Sequence, residues 1–157
     1  MRGHRKDKVT TRTINRILVA TDGSDSSQTA VELGVELAAA ENAEVTFVHV
    51  VPPVAFLAGR LSRPAVPRRL SVADDEALER AAAVARANDV PFHLELIAGE
   101  TGESIVACGD AFDIDLIVVG ERPGRHWLAL NVPRWVARHA TRAVLVARAA
   151  DRERVAA

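Results

Sequence analysis

The sequence predicts an α/β fold, an open parallel sheet of five strands with helices on both faces. Three observations carry that expectation. Short β-branched runs alternate with segments whose apolar residues recur every three to four positions. The two kinds of segment follow one another as βαβαβαβαβ, an order that favours parallel strands joined by helical crossovers. Finally, the runs ILVA, VTFVHV and LIVV are mainly apolar, as strands covered on both faces are.

The first strand is expected over residues 16–21 (RILVAT) and stops at Asp22-Gly23-Ser24. Asp25 with Gln28 has the spacing of a capping box, and Ala30, Val31, Leu33, Gly34, Leu37 and Ala38 follow at helical spacing. Residues 44–51 read as the second strand, ended by Pro52-Pro53. Residues 52–70 hold four of the seven prolines and four arginines, and read as one long loop. Ser71, with Asp74, Asp75 and Glu76 close behind, is expected to open a helix running to about Asn88, because acidic groups favour a helix N-terminus. Residues 91–98 alternate Phe92, Leu94 and Leu96 with His93 and Glu95, the pattern of an edge strand half open to water. Thr101 is the expected cap of a helix through Phe112, and residues 115–120 (DLIVVG) form the fourth strand. A loop over 121–132, a short helix over 133–140 and a fifth strand over 143–147 (AVLVA) complete one domain. Its bounds are 15–149, between a basic tail, 1–14, and a carboxyl-terminal tail, 150–157. The fifth strand is apolar yet stands where an edge is expected. An uncovered apolar edge invites aggregation, so a homodimer through residues 143–149 is predicted.

Composition narrows the function. With 48% apolar and 26% charged residues the chain has the balance of a globular core. The run 45–56 is broken by Thr46, His49 and prolines and falls short of the ~20 residues that cross a bilayer, so no membrane is expected. The amino terminus is basic without an apolar signal stretch and Cys108 is alone, which together suggest an intracellular, cytoplasmic protein. Lys6 and Lys8 are the only lysines. Schiff-base chemistry, a lysine-bearing phosphate loop and a lysine general base are thereby removed from the folded body. Arginine stays charged and suits anion binding more than proton transfer, which favours a binding role over catalysis. Net charge is −1, and the six basic residues of 1–16 lack interleaved aromatics, so the tail reads as a solvated arm and nucleic acid is an unlikely partner.

Ligands of open parallel sheets sit beyond the strands' carboxyl ends, where strand order reverses. Those ends carry Thr21-Asp22-Gly23-Ser24, Val50-Val51-Pro52 and Gly120-Glu121-Arg122-Pro123-Gly124-Arg125. The basic blocks 60–69 and 122–134 converge there with Asp22. One carboxylate beside several guanidiniums suits a ligand with a hydrogen-bonding base and an anionic group, such as a nucleotide. The competing reading pairs these arginines with the acidic helices. Other residues read as structural: Cys108 as inert core, His49 as a hydrogen-bonded strand histidine, His93 as surface, His139 as a favourable charge at a helix C-terminus, and Trp135 as packing. Trp127, beside His126, either closes the core over its loop or stacks on a ligand. No histidine pair has metal-ligand spacing, so no metal site is predicted. A pyrophosphatase-type loop at 21–26 would place Asp22 against phosphate. A phospho-acceptor receiver would need a lysine near the last strand.

These residues carry a resemblance. RILVATDGSDSSQTAVELGVELAAAENAEVTFVHVVPP, GETGESIV and DLIVVGERPGRHWLALNVPRWVARHATRAVLVAR resemble, in the same order, the opening, third helix and closing segment of the universal stress protein family. The resemblance covers residues 15–149. It implies a Rossmann-like fold of the adenine nucleotide alpha hydrolase type, strand order 3-2-1-4-5, dimers through the last strand, and a cytoplasmic stress-response regulator or binding module without strong catalysis. It also implies ATP or AMP as possible ligand. Nucleotide-binding members use an aspartate after the first strand for adenine and G-x2-G-x9-G-[ST] for phosphates. Asp22, Val50 and Gly120 match that scheme, but Pro123, Pro133 and Arg134 replace the remaining glycines and the hydroxyl. Proline has no N–H and fixes φ, so two potential phosphate donors are lost. Pro133 suits a helix start, and the N–H groups after it are expected to remain free for an anion. Either ATP binding is weakened or lost, or Arg122, Arg125 and Arg134 supply side-chain contacts of about 1.5–3 kcal/mol each. The candidate contact set is Ala20, Thr21, Asp22, Val50, Val119, Gly120, Glu121, Arg122, Gly124, Arg125 and Arg134.

Overall fold

The computed structural model describes residues 12–51, 68–121 and 131–148. Its elements are β1 (Arg16–Ala20), α1 (Asp25–Glu41), β2 (Glu44–Val51), β3 (Arg68–Leu70), α2 (Glu76–Ala87), β4 (Phe92–Ala98), α3 (Thr101–Ala111), β5 (Leu116–Glu121), α4 (Val132–His139) and β6 (Ala143–Arg148). They form one sheet in the order β3-β4-β2-β1-β5-β6. Without β3, the five remaining strands are parallel and stand in the expected order 3-2-1-4-5.

The short strand β3 corrects the reading of 52–70 as a single loop; residues 52–67 lie outside those described. Its sequence, RRL, has no apolar alternation, and tertiary pairing makes it a strand. It runs antiparallel to β4, with Arg68 opposite Ala98 and Leu70 opposite Leu96. Arg69 Nη2 donates to Glu95 Oε1 at 2.7 Å, and its guanidinium lies 5.2 Å from the Phe112 ring centroid. Leu96–Ala98 are therefore covered, while residues 92–95 keep the half-open edge that the alternation suggested.

Helix starts also differ from the sequence reading by one to five residues. Ser24, not Asp25, caps α1: its backbone is extended, and its Oγ accepts the Ser27 N–H at 3.4 Å. Asp25 becomes the first helical residue, and Gln28 donates to Glu32 Oε1 at 3.2 Å instead of closing a capping box. Asp75, not Ser71, caps α2 by accepting the Leu78 N–H at 2.9 Å. Glu100, not Thr101, caps α3 through the Glu103 N–H at 3.1 Å. In each case the cap's side chain accepts the N–H three residues on, one of the orphan donors of the first turn.

Strand alternation divides the core in two. Ile17, Val19, Val45, Phe47 and Val118 face α1 and α2, packing on Ala30, Val31, Val35, Leu78 and Ala81. Leu18, Val48, Ile117 and Val119 face α3 and α4, packing on Ile105, Cys108 and Val136. Each fully buried aliphatic side chain contributes about 1.5–3 kcal/mol, so both layers are needed. Among the described residues no helix is long and apolar enough to cross a membrane. The first turn of α1 comes so close to β5 that a methyl group on Gly120 would overlap the Ser26 carbonyl.

Two predictions follow from this packing. Gly120→Ala is expected to lower stability by about 1–3 kcal/mol in urea or thermal unfolding, because the obstacle is backbone and cannot rotate away. Cys108 is buried, and desolvation, assisted by the Glu95 charge and opposed by Arg69, pushes its thiol up to about 11. Reaction of the native protein with a disulfide reagent at pH 8 is thus expected to be about 100-fold slower than in urea.

Candidate functional site

Strand order reverses between β1 and β5. The chain leaves β1 through α1 toward β2 on one side, and returns from β4 through α3 to β5 on the other. The crevice at their carboxyl ends is therefore the place where a ligand fits this sheet.

One wall is the turn between β1 and α1. The Thr21 N–H donates to Val48 O at 2.9 Å, extending the ladder one residue past the strand. Ser27 Oγ donates to Ser24 O at 2.9 Å, so in its 3.2 Å contact with Thr21 Oγ1 the threonine is the donor. Ser27 Oγ also accepts the Asp22 N–H at 3.3 Å, and Thr21 Oγ1 accepts the Gly23 N–H at 3.3 Å. Asp22 Oδ1 accepts the Ser24 N–H at 2.9 Å, while Gly23 takes φ +78, a conformation that favours glycine. Thr21 and Ser27 are buried and Asp22 is exposed. The hydroxyl pair thus holds the backbone from below and presents the carboxylate at the sheet's upper edge.

The opposite wall is the end of β5. Gly120 lies near the end of β5, where the Ser26 carbonyl leaves no room for a Cβ. Val119 is buried in the core at 2% exposure, so its side chain offers a ligand no surface. Glu121 accepts an ion pair from Arg148 Nε at 2.6 Å, a bond across β5 and β6. Ala20 and Val50 are half-buried at the ends of β1 and β2, packed against the core layer on the α3 and α4 side.

The start of α4 corrects the expectation of free amides. Asn131 caps this helix, its Oδ1 accepting the Arg134 N–H at 3.1 Å and its carbonyl accepting the Trp135 N–H at 2.9 Å. Pro133 has no N–H. Two amides expected to face an anion are engaged within the helix itself, and the Arg134 side chain is exposed. Arg122, Gly124 and Arg125, with Pro123, His126 and Trp127, lie outside the described residues, as do Arg60 and Arg63. Of the predicted arginine convergence, Arg69 is instead paired with Glu95 on β4.

Several contributors were missed by sequence reasoning. Arg80 of α2 donates to Gly23 O at 3.1 Å, bracing the turn that carries Asp22. Asp75 binds His49 Nδ1 at 2.9 Å through Oδ2 while capping α2 through Oδ1. Facing a carboxylate, Nδ1 is the protonated nitrogen, and one side chain ties β2 to α2. Only the capping signal of Asp75 was visible in the sequence. His93 is exposed, as read, 3.7 Å from Glu44, and His139, in the last turn of α4, stacks on Trp135 at 4.0 Å. Trp135 packs across Gly102 of α3. Among the described residues no group of three His, Cys, Asp or Glu could hold a metal ion.

Residues 13–148 match the model of the universal stress protein family. The chain is 31% identical over 107 residues to a universal stress protein of Methanocaldococcus jannaschii, covering 67% of this chain and 63% of that protein, less than two thirds of its length. It is also 31% identical to universal stress protein A homolog 1 of Coxiella burnetii, over 71% of this chain and 78% of the relative. Among solved structures, a universal stress protein in complex with cAMP matches at 26% identity and TM-score 0.65, over 87% of this chain and 98% of that one. UspA from Lactobacillus plantarum matches in fold at 23% identity and TM-score 0.66, over 88% and 100%. The Archaeoglobus fulgidus protein in complex with dAMP does so at 24% identity and TM-score 0.63, over 87% and 99%. A match that runs from the residues before β1 to the end of β6, over a sheet of the same order, makes this chain a member of the universal stress protein family.

Proposed function

We propose that this chain is a non-catalytic, cytoplasmic binding module of the stress response whose crevice keeps Asp22 for an adenine-type base while binding ATP weakly or not at all. The observation that carries this reading is at α4. Asn131 occupies the Arg134 amide, Pro133 has none, and an exposed arginine replaces a hydroxyl. Each amide contact withdrawn from a phosphate removes about 0.5–1.5 kcal/mol. Charged phosphates would instead be met by Asp22 on the opposite wall. The lack of catalysis is supported by Glu121, which is held by Arg148 at 2.6 Å and so is poorly placed as a base.

The second reading keeps the nucleotide. Arg134 stands at the first turn of α4, where a guanidinium can reach a phosphate, and Arg122 and Arg125 would join it. The relative in complex with cAMP and the fold neighbours in complex with dAMP and AMP support this alternative.

The apolar edge strand β6 supports homodimerisation through residues 143–149. Val144 and Val146 lie on one face and Leu145 on the other, all only partly buried within one copy.

Titration calorimetry separates the two nucleotide readings. ATP is expected to give no micromolar dissociation constant, and purified protein no ATP turnover. A micromolar constant for ATP or AMP, abolished by Arg134→Ala, would establish the arginine cradle instead. Light scattering at micromolar concentration is expected to give the mass of a dimer; a monomer would remove β6 as an interface.

A further inference from the structure

Helix α4 carries its charge and its aromatic rings in two adjacent rows. Arg134 and Arg138 are four residues apart, as are Trp135 and His139, so the members of each pair are neighbours along the helix. Val136 is buried in the core layer, while Arg134, Ala137 and Arg138 are exposed. The charge of the arginine row is not neutralised within the fold. Residues 122–150 contain six arginines and no aspartate or glutamate. Arg148 is held by Glu121 at 2.6 Å, and Arg142 lies 3.2 Å from Asp113 and 3.6 Å from Asp110. Asp110 also accepts the Thr141 hydroxyl at 2.7 Å, and Asp113 lies 3.8 Å from Arg16, so these acids are already engaged. Among the described residues no carboxylate lies within ion-pair distance of Arg134 or Arg138.

The aromatic row is ordered within the fold itself. The Trp135 ring lies against Gly102 of α3, where a Cβ would overlap it. His139 stacks on that ring at 4.0 Å and 15°, and its Nδ1 donates to Trp135 O at 2.8 Å. The imidazole is nonetheless exposed. A ring fixed by a stack and a hydrogen bond, yet open to solvent, loses little freedom when a further flat group settles on it. Cations that meet phosphates, beside rings that stack on bases, are the combination by which proteins hold single-stranded nucleic acid. The basic amino-terminal segment has no aromatics to offer, but α4 interleaves them with arginines as Arg-Trp-Val-Ala-Arg-His. An acidic protein surface would match the arginines and leave the exposed ring without a part.

We propose that the outer face of α4 binds single-stranded nucleic acid, with Arg134 and Arg138 meeting phosphates of the strand and His139, backed by Trp135, stacking on a base. This surface is additional to the crevice that carries Asp22 and does not require a nucleotide there.

Fluorescence anisotropy of the full chain with a labelled oligouridylate of about twelve nucleotides tests this. With two phosphate contacts, affinity is expected to fall about sevenfold between about 50 and 200 mM salt, and Arg138→Gln, which removes one contact, to reduce that fall to about threefold. The thermal midpoint of Arg138→Gln is expected to stay unchanged, because the side chain is exposed and makes no contact within the fold. His139→Ala is expected to weaken binding about tenfold, and His139→Phe to restore it by supplying another ring. No binding at the lower salt, or binding that Arg138→Gln and His139→Ala both leave unchanged, would overturn the proposal. So would binding lost only in Lys6→Gln/Lys8→Gln, which belongs to the amino-terminal segment, or binding displaced by ATP and indifferent to Arg138→Gln, which belongs to the crevice. Capture of polyglutamate or anionic vesicles in place of the oligonucleotide would overturn it as well.

Discussion

The structure depends on how closely the first turn of α1 approaches β5. Ser26 presents its carbonyl where any side chain at position 120 would have to stand, so strand and helix meet backbone to backbone. That approach lets the turn after β1 stand beside the end of β5. It thereby creates the crevice at the reversal of strand order. Glycine at 120 needs no phosphate to explain it. A motif position associated with ligand binding is here fixed by packing, and its presence alone is poor evidence for a nucleotide.

The two walls of the crevice differ in how they treat charge. On the β1 side, the hydroxyls of Thr21 and Ser27 satisfy the local amides, leaving the Asp22 carboxylate as the prominent group. On the α4 side, a good N-cap stabilises the helix by taking up an amide that an anion would otherwise use. Capping and phosphate binding compete for the same donor. Asn131, Pro133 and Arg134 favour the cap. Guanidinium groups attract phosphate in a different way, through long side chains that must be ordered on binding, whereas amides in a helix turn are already in place.

Helix α2 is more closely joined to the site than its place in the chain suggests. Arg80 holds the Gly23 carbonyl, and Asp75 holds both His49 and the first turn of its own helix. Displacement of α2 would therefore disturb the turn that carries Asp22, although no residue of α2 belongs to a recognised ligand motif.

The sequence by itself determined the five parallel strands, the two-sided core and the position of Asp22. These follow from local period and from apolar runs such as LIVV, which only a sheet covered on both faces can bury. The ends of β1 and β5 were legible in the same way, because Asp-Gly and Gly-Glu mark them. Only the tertiary structure decided the rest. RRL became β3 because β4 offered it hydrogen bonds and Glu95 offered Arg69 a partner, neither being near in sequence. The caps fell at Ser24, Asp75 and Glu100 because each run offers several residues able to cap, and the position where the helix packs on the sheet selects among them. The use of the α4 amides had a signal in Asn131, a preferred N-cap residue shortly before Pro133, but only the folded helix start shows the Arg134 N–H bound to that side chain.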